Sequence, residues 1–291
     1  RDDVYAYGFL SKKTGRVGYA PAAWNEWMTL PNGKRVPTPS DQRRCKPLTD
    51  QVLLDHFTKR DSQFHNVVGL YPLSKDSKVW FLAIDFDDDG WKEEIIATKR
   101  VCENHGLHPI MERSRSGDGG HLWMFFSEEI EAAQARKMGT ALLSGAAQKT
   151  HIRFRSYDRM FPNQDLLPSG GFGNLIALPL QRLARDAGNS VFVDEQFNPY
   201  ADQWAFLDPV QRITAQQVNT IATLASSNTG PLGNLAKFDS PIPHAVGQKK
   251  KTDKQAPTTG NGSLRTGSRT PLSNADVPET ITIIERSMLE I

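Results

Sequence analysis

The chain has 291 residues, of which 38% are hydrophobic and 23% are charged, a globular composition that suffices for one large domain or two smaller ones. The net charge of +2 excludes a globally basic protein, so affinity for nucleic acid must come from local clusters. No apolar run approaches the roughly 18 residues of a membrane span and no signal peptide is visible, so we expect no membrane association. Cys45 and Cys102 have neither metal-type nor disulfide spacing, which predicts an intracellular, cytoplasmic location.

Residues 1–47 are rich in Gly, Pro, Lys and Arg, with aromatic residues between them. Helical periodicity and runs of β-branched and aromatic residues identify the elements after this segment. In chain order we predict a helix over 48–60, strands over 66–73 and 78–86, and a helix over 91–106. Strands over 109–115 and 121–126 follow on either side of a turn, and then a helix over 127–148. The last predicted elements are a Gly/Pro-rich loop that runs into an apolar strand over 161–181, a strand over 189–197 and a helix over 214–227. Asp88 or Asp89 is available to cap the helix over 91–106. The mixture of hairpins and crossovers predicts an α+β fold with a largely antiparallel sheet.

The composition changes after residue 227. Between about 228 and 276 the chain is rich in Gly, Pro, Ser, Thr, Asn and Lys and has almost no large apolar residues, which is typical of a disordered linker. This linker is basic, because seven basic residues accompany two acidic ones between Lys237 and Arg269. Residues 277–291 become apolar again. We therefore expect one folded domain over 1–227, a basic linker, and the start of a following domain in a longer polypeptide.

A carboxylate pair, Asp85 and Asp87, follows the apolar run VWFLA. In a strand, residues i and i+2 share a face, so the two carboxylates point to the same side. Neighbouring carboxylates repel each other, and one stays protonated unless a cation lies between them. Hard oxygen ligands favour Mg²⁺ or Mn²⁺, and two such ions together activate a hydroxyl group and stabilise a leaving pyrophosphate. The alternative is a strand end whose acids are merely solvated.

A glycine-rich turn, SGDGG, separates the strands predicted over 109–115 and 121–126. The glycine N–H groups and a serine hydroxyl can bind phosphate oxygens, a histidine at the mouth of the next strand is a further donor, and two arginines make one face of the preceding strand cationic. The candidate nucleotide-binding residues here are Arg113, Arg115, Ser116, Gly117, Gly119, Gly120 and His121. The alternative is a plain hairpin turn with a packed or solvated histidine.

A third acid, Asp194, ends another apolar strand. Taken alone it is more simply a solvated strand end, but metal sites for nucleotidyl transfer often need one more ligand or base than a pair of acids provides. Arg182 and Arg185 precede it and are candidates for binding a triphosphate. The segment RFRSYDR over 153–159 combines basic and aromatic residues, which suits either a nucleic-acid groove or a solvated basic face.

In combination, the strand ending in D-x-D, the Ser/Gly-rich turn ending in His and the later strand ending in Asp resemble the archaeo-eukaryotic primase superfamily, which includes the primase-polymerases. Two stretches, MERSRSGDGGHLWMFF and YDRMFPNQDLLPSGGFGNLIALPLQ, are similar to the primase-polymerase domain of TOTE conflict systems. The similarity covers about residues 1–210. It implies an RRM-like catalytic module beside a smaller N-terminal α/β module, on a polypeptide that also carries helicase and nuclease domains.

The resemblance also implies a function, that of a template-dependent nucleotidyltransferase or DNA primase-polymerase. Asp85, Asp87 and Asp194 would hold two Mg²⁺ or Mn²⁺ ions. Ser116 and His121 would contact the phosphates of a dNTP or NTP, and single-stranded DNA template and primer would be the partners. Nucleotides would then be added to a 3′-hydroxyl with release of pyrophosphate.

One departure from the family pattern concerns zinc. Many TOTE-type relatives carry clustered cysteines just before the segment PLTD, where this chain has only Cys45, so we expect no structural zinc. Two other functions stay open at this point. One is a metal-dependent nuclease that uses the same acids, and the other is a catalytically silent module that binds single-stranded nucleic acid.

Overall fold

The computed structural model describes residues 1–62, 64–87, 89–150 and 155–227. Helices and strands are interspersed along this part of the chain, and the ladders between its strands are antiparallel, which confirms the predicted α+β fold. The predictions for 228–276, for 277–291 and for Asp88 lie outside the described residues. No helix in the described ranges combines the length and the apolar character that a membrane span requires.

Strands and helices are numbered in chain order. The structure contains strands β1 (Ala6–Leu10), β2 (Val17–Pro21), β3 (Trp27–Thr29) and β4 (Arg35–Pro37), a 3-10 helix (Ser40–Gln42), helix α1 (Asp50–Thr58), β5 (Val68–Leu70), β6 (Lys78–Asp87), α2 (Trp91–Asn104), β7 (Ile110–Arg113), β8 (Gly119–Glu131), α3 (Ala132–Thr150), β9 (Tyr157–Phe161), β10 (Ile176–Ala177), α4 (Arg182–Asp186), β11 (Val191–Val193), α5 (Gln203–Leu207) and α6 (Ala215–Ser227).

The larger sheet has the strand order β11-β7-β8-β6-β9. Its four strands β6 to β9, with α2 and α3, follow the chain order strand, helix, strand, strand, helix, strand. Each helix connects two parallel strands that are separated in the sheet by one antiparallel strand. This split βαβ arrangement is the ferredoxin-like or RRM-like fold, so the predicted RRM-like module is confirmed.

Strand β6 is central because its sequence is apolar enough to be covered on both faces. Leu82, Ile84 and Phe86 are fully buried and alternate onto the face that α2 and α3 cover. The backbone of α3 approaches this face closely, since a Cβ on Gly139 would lie 2.8 Å from a methyl carbon of Leu82. Burying each of these large side chains contributes about 1.5–3 kcal/mol, which holds β6 in a fixed position for the residues on its other face.

A second sheet, of order β10-β5-β1-β2, forms most of the smaller N-terminal module. Helix α1 packs against β5, and His56 of α1 connects it to two other segments. The Nδ1 atom of His56 accepts a hydrogen bond from the Val68 N–H at 3.0 Å, so Nε2 donates to the Pro179 carbonyl at 3.0 Å. Burial lowers the pKa of His56 to about 4.

Some boundaries differ from the sequence predictions. The helix predicted over 127–148 begins only at Ala132, because β8 continues to Glu131. A distant segment supports this extension, since the Ser127 N–H donates to the Ile213 carbonyl at 3.0 Å. The predicted cap of α2 by Asp89 is absent, because the cap position is Gly90 and no side chain caps the helix. Strands β1 to β4 and β9 and helices α4 and α5 have no predicted counterpart, since each has five residues or fewer and shows little periodicity.

Candidate active site

Asp85 and Asp87 lie at the end of β6, on the sheet face opposite the one that α2 and α3 cover. The register places Asp85 opposite His121 and Asp87 opposite Gly119 in β8. Asp85 is buried, with 8% of its surface exposed, whereas Asp87 is exposed. The end of the strand therefore carries one enclosed and one accessible carboxylate on the same face.

A third carboxylate joins this pair through an irregularity in β9. The register between β6 and β9 shifts by one residue after Asp85, which leaves Asp158 as the extra residue of a β-bulge. Such a bulge changes the direction of a side chain that regular alternation would send to the other face. Ligand oxygens of Asp85, Asp87 and Asp158 consequently lie within 4.8 Å of one another.

Arg159 is the cation beside this carboxylate group. Its Nε atom donates to the Asp158 Oδ2 atom at 2.6 Å. Burial lowers the pKa of Arg159, but the three carboxylates Asp158, Asp85 and Asp87 outweigh this effect and raise the pKa above its usual value. One guanidinium leaves the group of three acids negatively charged.

The carboxylate group fits a divalent metal ion on two grounds. Oδ1 of Asp85 is buried and receives no hydrogen bond of normal geometry; its ion-pair contact is the His121 Nε2 atom at 3.3 Å. His121 supplies one positive charge to Asp85, but the group of three carboxylates keeps an excess of negative charge, and the buried Oδ1 atom keeps a lone pair for a further cation. In addition, three carboxylates are the hard oxygen donors that Mg²⁺ and Mn²⁺ prefer. Asp85, Asp87 and Asp158 are therefore able to hold such an ion.

His121 is held between two acids. Its Nδ1 atom lies 2.8 Å from the Glu112 Oε2 atom, and the same oxygen accepts a hydrogen bond from the Trp123 indole N–H at 2.8 Å. Burial lowers the pKa of His121, but Glu112 and Asp85 outweigh it and raise the pKa to about 10. Glu112 thus fixes the orientation of the imidazole and directs Nε2 towards Asp85.

Two glycines at the start of β8 allow its close approach to neighbouring groups. A Cβ on Gly119 would lie 2.5 Å from the Asp87 Oδ1 atom and 2.5 Å from the Phe86 carbonyl oxygen. A Cβ on Gly120 would lie 2.5 Å from a ring carbon of Trp91. Any side chain at position 119 would therefore displace a carboxylate of the site, whereas one at position 120 would displace the first residue of α2.

The turn before these glycines is exposed and internally bonded. Gly117 has a φ of 87°, which favours glycine, and its N–H donates to the Ser114 carbonyl at 3.1 Å. The Asp118 N–H donates to the Ser116 hydroxyl at 3.3 Å. Two N–H groups of the turn are thus engaged within it, and the exposed side chains that it presents are those of Ser116 and Asp118.

Glu94 of α2 anchors the segment that leads into β9. Its buried carboxylate accepts hydrogen bonds from the Arg155 N–H at 2.8 Å, from the Ser156 N–H at 3.1 Å and from the Ser156 hydroxyl. The Ser156 carbonyl in turn accepts a hydrogen bond from the Asp87 N–H at 2.7 Å. Glu94 therefore fixes the backbone two residues before Asp158.

The structure does not bring Asp194 to the other acids. It follows β11, which is three strands away from β6, or about 14 Å at the usual strand spacing. Its Oδ1 atom accepts hydrogen bonds from the Gln196 N–H at 2.9 Å and from the Asn198 N–H at 2.8 Å, and the Asn198 N–H is the largest cause of its lowered pKa. Asp194 stabilises its own turn and lines a separate cavity of about 390 Å³. Asp158, and not Asp194, belongs to the group of acids whose ligand atoms lie within 4.8 Å of one another.

Of the four candidate arginines, Arg115 lies beside the glycine-rich turn, with its side chain near the N-terminal sheet. The guanidinium of Arg115 lies 5.3 Å from the centroid of the Phe64 ring. Arg113 donates to the carbonyls of Gly188 and Phe197, and Arg185 is buried and donates to a carbonyl of α1. Arg182 is also buried and forms an ion pair with the aspartate at the end of its own helix. The structure therefore gives these last three arginines packing contacts away from the carboxylate group.

Three residues of the site have no counterpart in the sequence predictions. Asp158 depends on a β-bulge, which no pattern in YDRMF indicates. Glu112 carries a usable signal, because an acid inside the apolar strand PIMERSR needs a buried partner. Glu94 carries no such signal, because α2 is rich in charged residues and the burial of Glu94 depends on where β9 begins.

Comparison with known proteins adds a family to this geometry. Residues 1–221, which include every residue of the site, match the family model described as the archaeo-eukaryotic primase domain of TOTE conflict systems. No curated protein matches the chain. Among solved structures, the chain is similar to the polymerase domain of Mycobacterium tuberculosis ligase D in complex with DNA, with 12% identity and a TM-score of 0.37 over 82% of this chain and 86% of that chain. A likeness at this TM-score carries no weight for the function of this chain.

Proposed function

Because this chain belongs to the archaeo-eukaryotic primase family of TOTE conflict systems, we propose that it is a metal-dependent nucleotidyltransferase, a primase-polymerase that extends a 3′-hydroxyl in the order set by a template. The observation that carries the proposal is the group of Asp85, Asp87 and Asp158, whose ligand atoms lie within 4.8 Å of one another. Three carboxylates at this spacing need compensating positive charge. Divalent metal ions would supply that positive charge, and a nucleoside triphosphate bound to them would supply the phosphorus that reacts.

The three carboxylates would hold two Mg²⁺ or Mn²⁺ ions. When bound, such ions neutralise triphosphate charge and lower the pKa of the attacking hydroxyl. The chain itself provides the fixed geometry. The β6–β8 ladder positions Asp85 and Asp87, and the β-bulge directs Asp158 to them. In the reaction, a bond forms between the 3′-oxygen and the α-phosphorus while the bond from that phosphorus to pyrophosphate breaks, the hydroxyl proton passes to water, and pyrophosphate leaves with the bonding electron pair.

His121 and Glu112 act in this proposal as positioning residues for Asp85. The hydrogen bond between Glu112 and the His121 Nδ1 atom leaves Nε2 to contact Asp85. Gly119 lets β8 approach Asp87 closely. These contacts hold the groups in one orientation, and groups that the fold already orients need no reorganisation during the reaction.

The triphosphate would lie over the turn between β7 and β8. Ser116 presents an exposed hydroxyl there, and Arg115 places a cation between the turn and the N-terminal module. A hydroxyl and a guanidinium are suitable donors for phosphate oxygens. His121 borders the same region, so a phosphate contact through Nε2 would compete with its contact to Asp85.

The partners in this proposal are a single-stranded DNA template with a primer, a dNTP or NTP, and helicase and nuclease domains of a longer polypeptide. Template and nucleotide follow from the reaction. The helicase and nuclease follow from the TOTE family, whose primase domain occurs beside them. We also propose that no structural zinc is needed, since Cys45 and Cys102 lie in different segments and neither belongs to a possible metal-binding group among the described residues.

The test is primer extension on single-stranded DNA with labelled dNTPs or NTPs and Mg²⁺ or Mn²⁺, with and without primer. Asp85→Asn/Asp87→Asn should abolish synthesis, while Asp89→Asn, an exposed acid outside the group, should leave it unchanged. Synthesis that survives the double substitution contradicts the proposal. Shortened template without added nucleotide would indicate a nuclease, and DNA binding without any reaction would indicate a silent binding module.

A further inference from the structure

Two of the most exposed aromatic rings lie together in the N-terminal module. Trp24 is 67% exposed and Trp27 is 54% exposed, and the other exposed large apolar side chain in the described ranges is Leu166. Both tryptophans belong to residues 22–46, which contain β3, β4 and the 3-10 helix and which we call the aromatic–basic lobe. Three residues span at most about 11 Å, so both exposed rings belong to the same small part of the module.

The aromatic–basic lobe is positively charged, in contrast to the rest of the described protein. It contains two acids, Glu26 and Asp41, and five cations, namely Lys34, Arg35, Arg43, Arg44 and Lys46. None of these five forms an ion pair with any described residue. Their charge is therefore available for an anionic partner.

The local geometry sets cations beside the rings. The Lys46 Nζ atom lies 4.9 Å from the centroid of the Trp24 ring, and the Trp24 N–H donates to the Arg44 carbonyl at 2.9 Å. In the β3–β4 ladder Trp27 is opposite Pro37, and Arg35 lies two residues further along the same exposed face. Each tryptophan thus has a cation close to it.

We propose that the aromatic–basic lobe binds single-stranded DNA, with bases stacked on Trp24 and Trp27 and with the cations on the phosphates. Aromatic rings bind every base through its flat face, and basic residues follow the backbone. A protein partner would need carboxylates to match five uncompensated cations, whereas a nucleic acid supplies one phosphate for each base. Duplex DNA hides its base faces, so the single strand is the better ligand.

The position of the lobe indicates that the DNA it binds is the template strand, and this assignment rests on the proposed function. The guanidinium of Arg115 lies 5.3 Å from the centroid of the Phe64 ring, and Phe64 lies against Gly8, which pairs with Tyr19 of β2. Trp24 is only five residues further along the chain, at most about 18 Å away. A single-stranded DNA bound to the lobe is therefore within reach of the group of Asp85, Asp87 and Asp158.

The experiment measures the binding of fluorescein-labelled oligo(dT) by anisotropy without metal or nucleotide. Trp24→Ala/Trp27→Ala should weaken binding about 30-fold or more, and Leu166→Ala, an equally exposed apolar side chain outside the lobe, should not. In the wild type, oligo(dT) should quench tryptophan fluorescence, and the double substitution should remove most of that quenching. Unchanged affinity in the folded double variant, or equal affinity for duplex DNA, overturns the proposal.

A repeat of this titration with Asp85→Asn/Asp87→Asn separates the lobe from the reaction. These substitutions should not weaken the binding of oligo(dT), because they remove negative charge and leave the lobe as it is. If the wild type makes no product but binds oligo(dT) through the tryptophans, the proposed function fails and the lobe proposal holds. If the wild type synthesises DNA and the tryptophan substitutions leave its oligo(dT) affinity unchanged, the lobe proposal fails alone.

Discussion

At Gly119, the addition of a single methyl group should disturb the carboxylates of the candidate active site. In Gly119→Ala the new Cβ would lie 2.5 Å from the Asp87 Oδ1 atom and from the Phe86 carbonyl oxygen, whereas ordinary contacts begin at 3.4 Å. These groups must move apart by about 0.9 Å. A displacement of about 1 Å at reacting groups can reduce the rate about 100-fold, and overpacking costs about 1–3 kcal/mol of unfolding free energy.

Gly120→Ala is the matched control. Its Cβ would lie 2.5 Å from a ring carbon of Trp91 and 2.9 Å from the Glu112 carbonyl oxygen, so it should cost a similar unfolding free energy without a direct clash with a carboxylate. The assays are urea unfolding and single-turnover primer extension over a range of Mn²⁺ concentrations. Gly119→Ala should lower the rate about 100-fold and raise the Mn²⁺ concentration needed for half-maximal rate. Gly120→Ala should lower the rate less than about tenfold and leave that concentration unchanged.

Equal losses in the two variants would refute this reasoning, because they would show that strand packing alone determines activity. A folded Gly119→Ala protein with the wild-type rate and metal dependence would refute it as well. In that case the contact between Gly119 and Asp87 would have no part in positioning the carboxylate.

Two further predictions concern stability. Glu94→Gln should lower the unfolding free energy by about 1–3 kcal/mol, because an amide cannot accept all the hydrogen bonds from the 155–156 segment. The control, Glu93→Gln on the exposed side of α2, should have little effect. Equal unfolding free energies of the two variants in urea would contradict this prediction. Buried His56 binds a proton only near pH 4, against 6.5 when unfolded, so protonation between these values favours the unfolded state. His56 should therefore lower the unfolding free energy of the wild type by roughly 3 kcal/mol as the pH falls from 6.5 to 4. The unfolding free energy of His56→Gln should fall by that much less over the same range, and parallel pH profiles of the two proteins would refute the prediction.

The fold follows from patterns that lie close together in the sequence. The split βαβ order depends on long elements such as β6 and α2, whose apolar runs and periodicity are strong, and their existence agrees with prediction. The short strands of the N-terminal module lack such patterns, because each strand has five residues or fewer and is stabilised by pairing with distant segments. Strand β10 falls within the loop and apolar strand predicted over 161–181, but its two residues pair with β5 across more than a hundred positions, which no local pattern indicates.

The site is predictable only where its geometry is local. Asp85 and Asp87 share a face because of strand alternation, and a glycine-rich turn with His at its end suits the start of the strand beside them. The third acid cannot be found in this way. A strand ending in Asp194 satisfies the sequence pattern, but β11 lies at the far edge of the sheet, whereas Asp158 reaches the site through a one-residue shift in register.

The most direct test of the central claim compares Asp158→Asn with Asp194→Asn in template-directed nucleotide incorporation at saturating metal. Both substitutions remove one charge and keep the shape of the side chain, and Asn at 194 can still accept the two backbone hydrogen bonds. We predict that Asp158→Asn lowers the rate at least about 100-fold and that Asp194→Asn stays within about threefold of the wild type. The reverse order of effects would contradict the carboxylate group of Asp85, Asp87 and Asp158 as the catalytic centre.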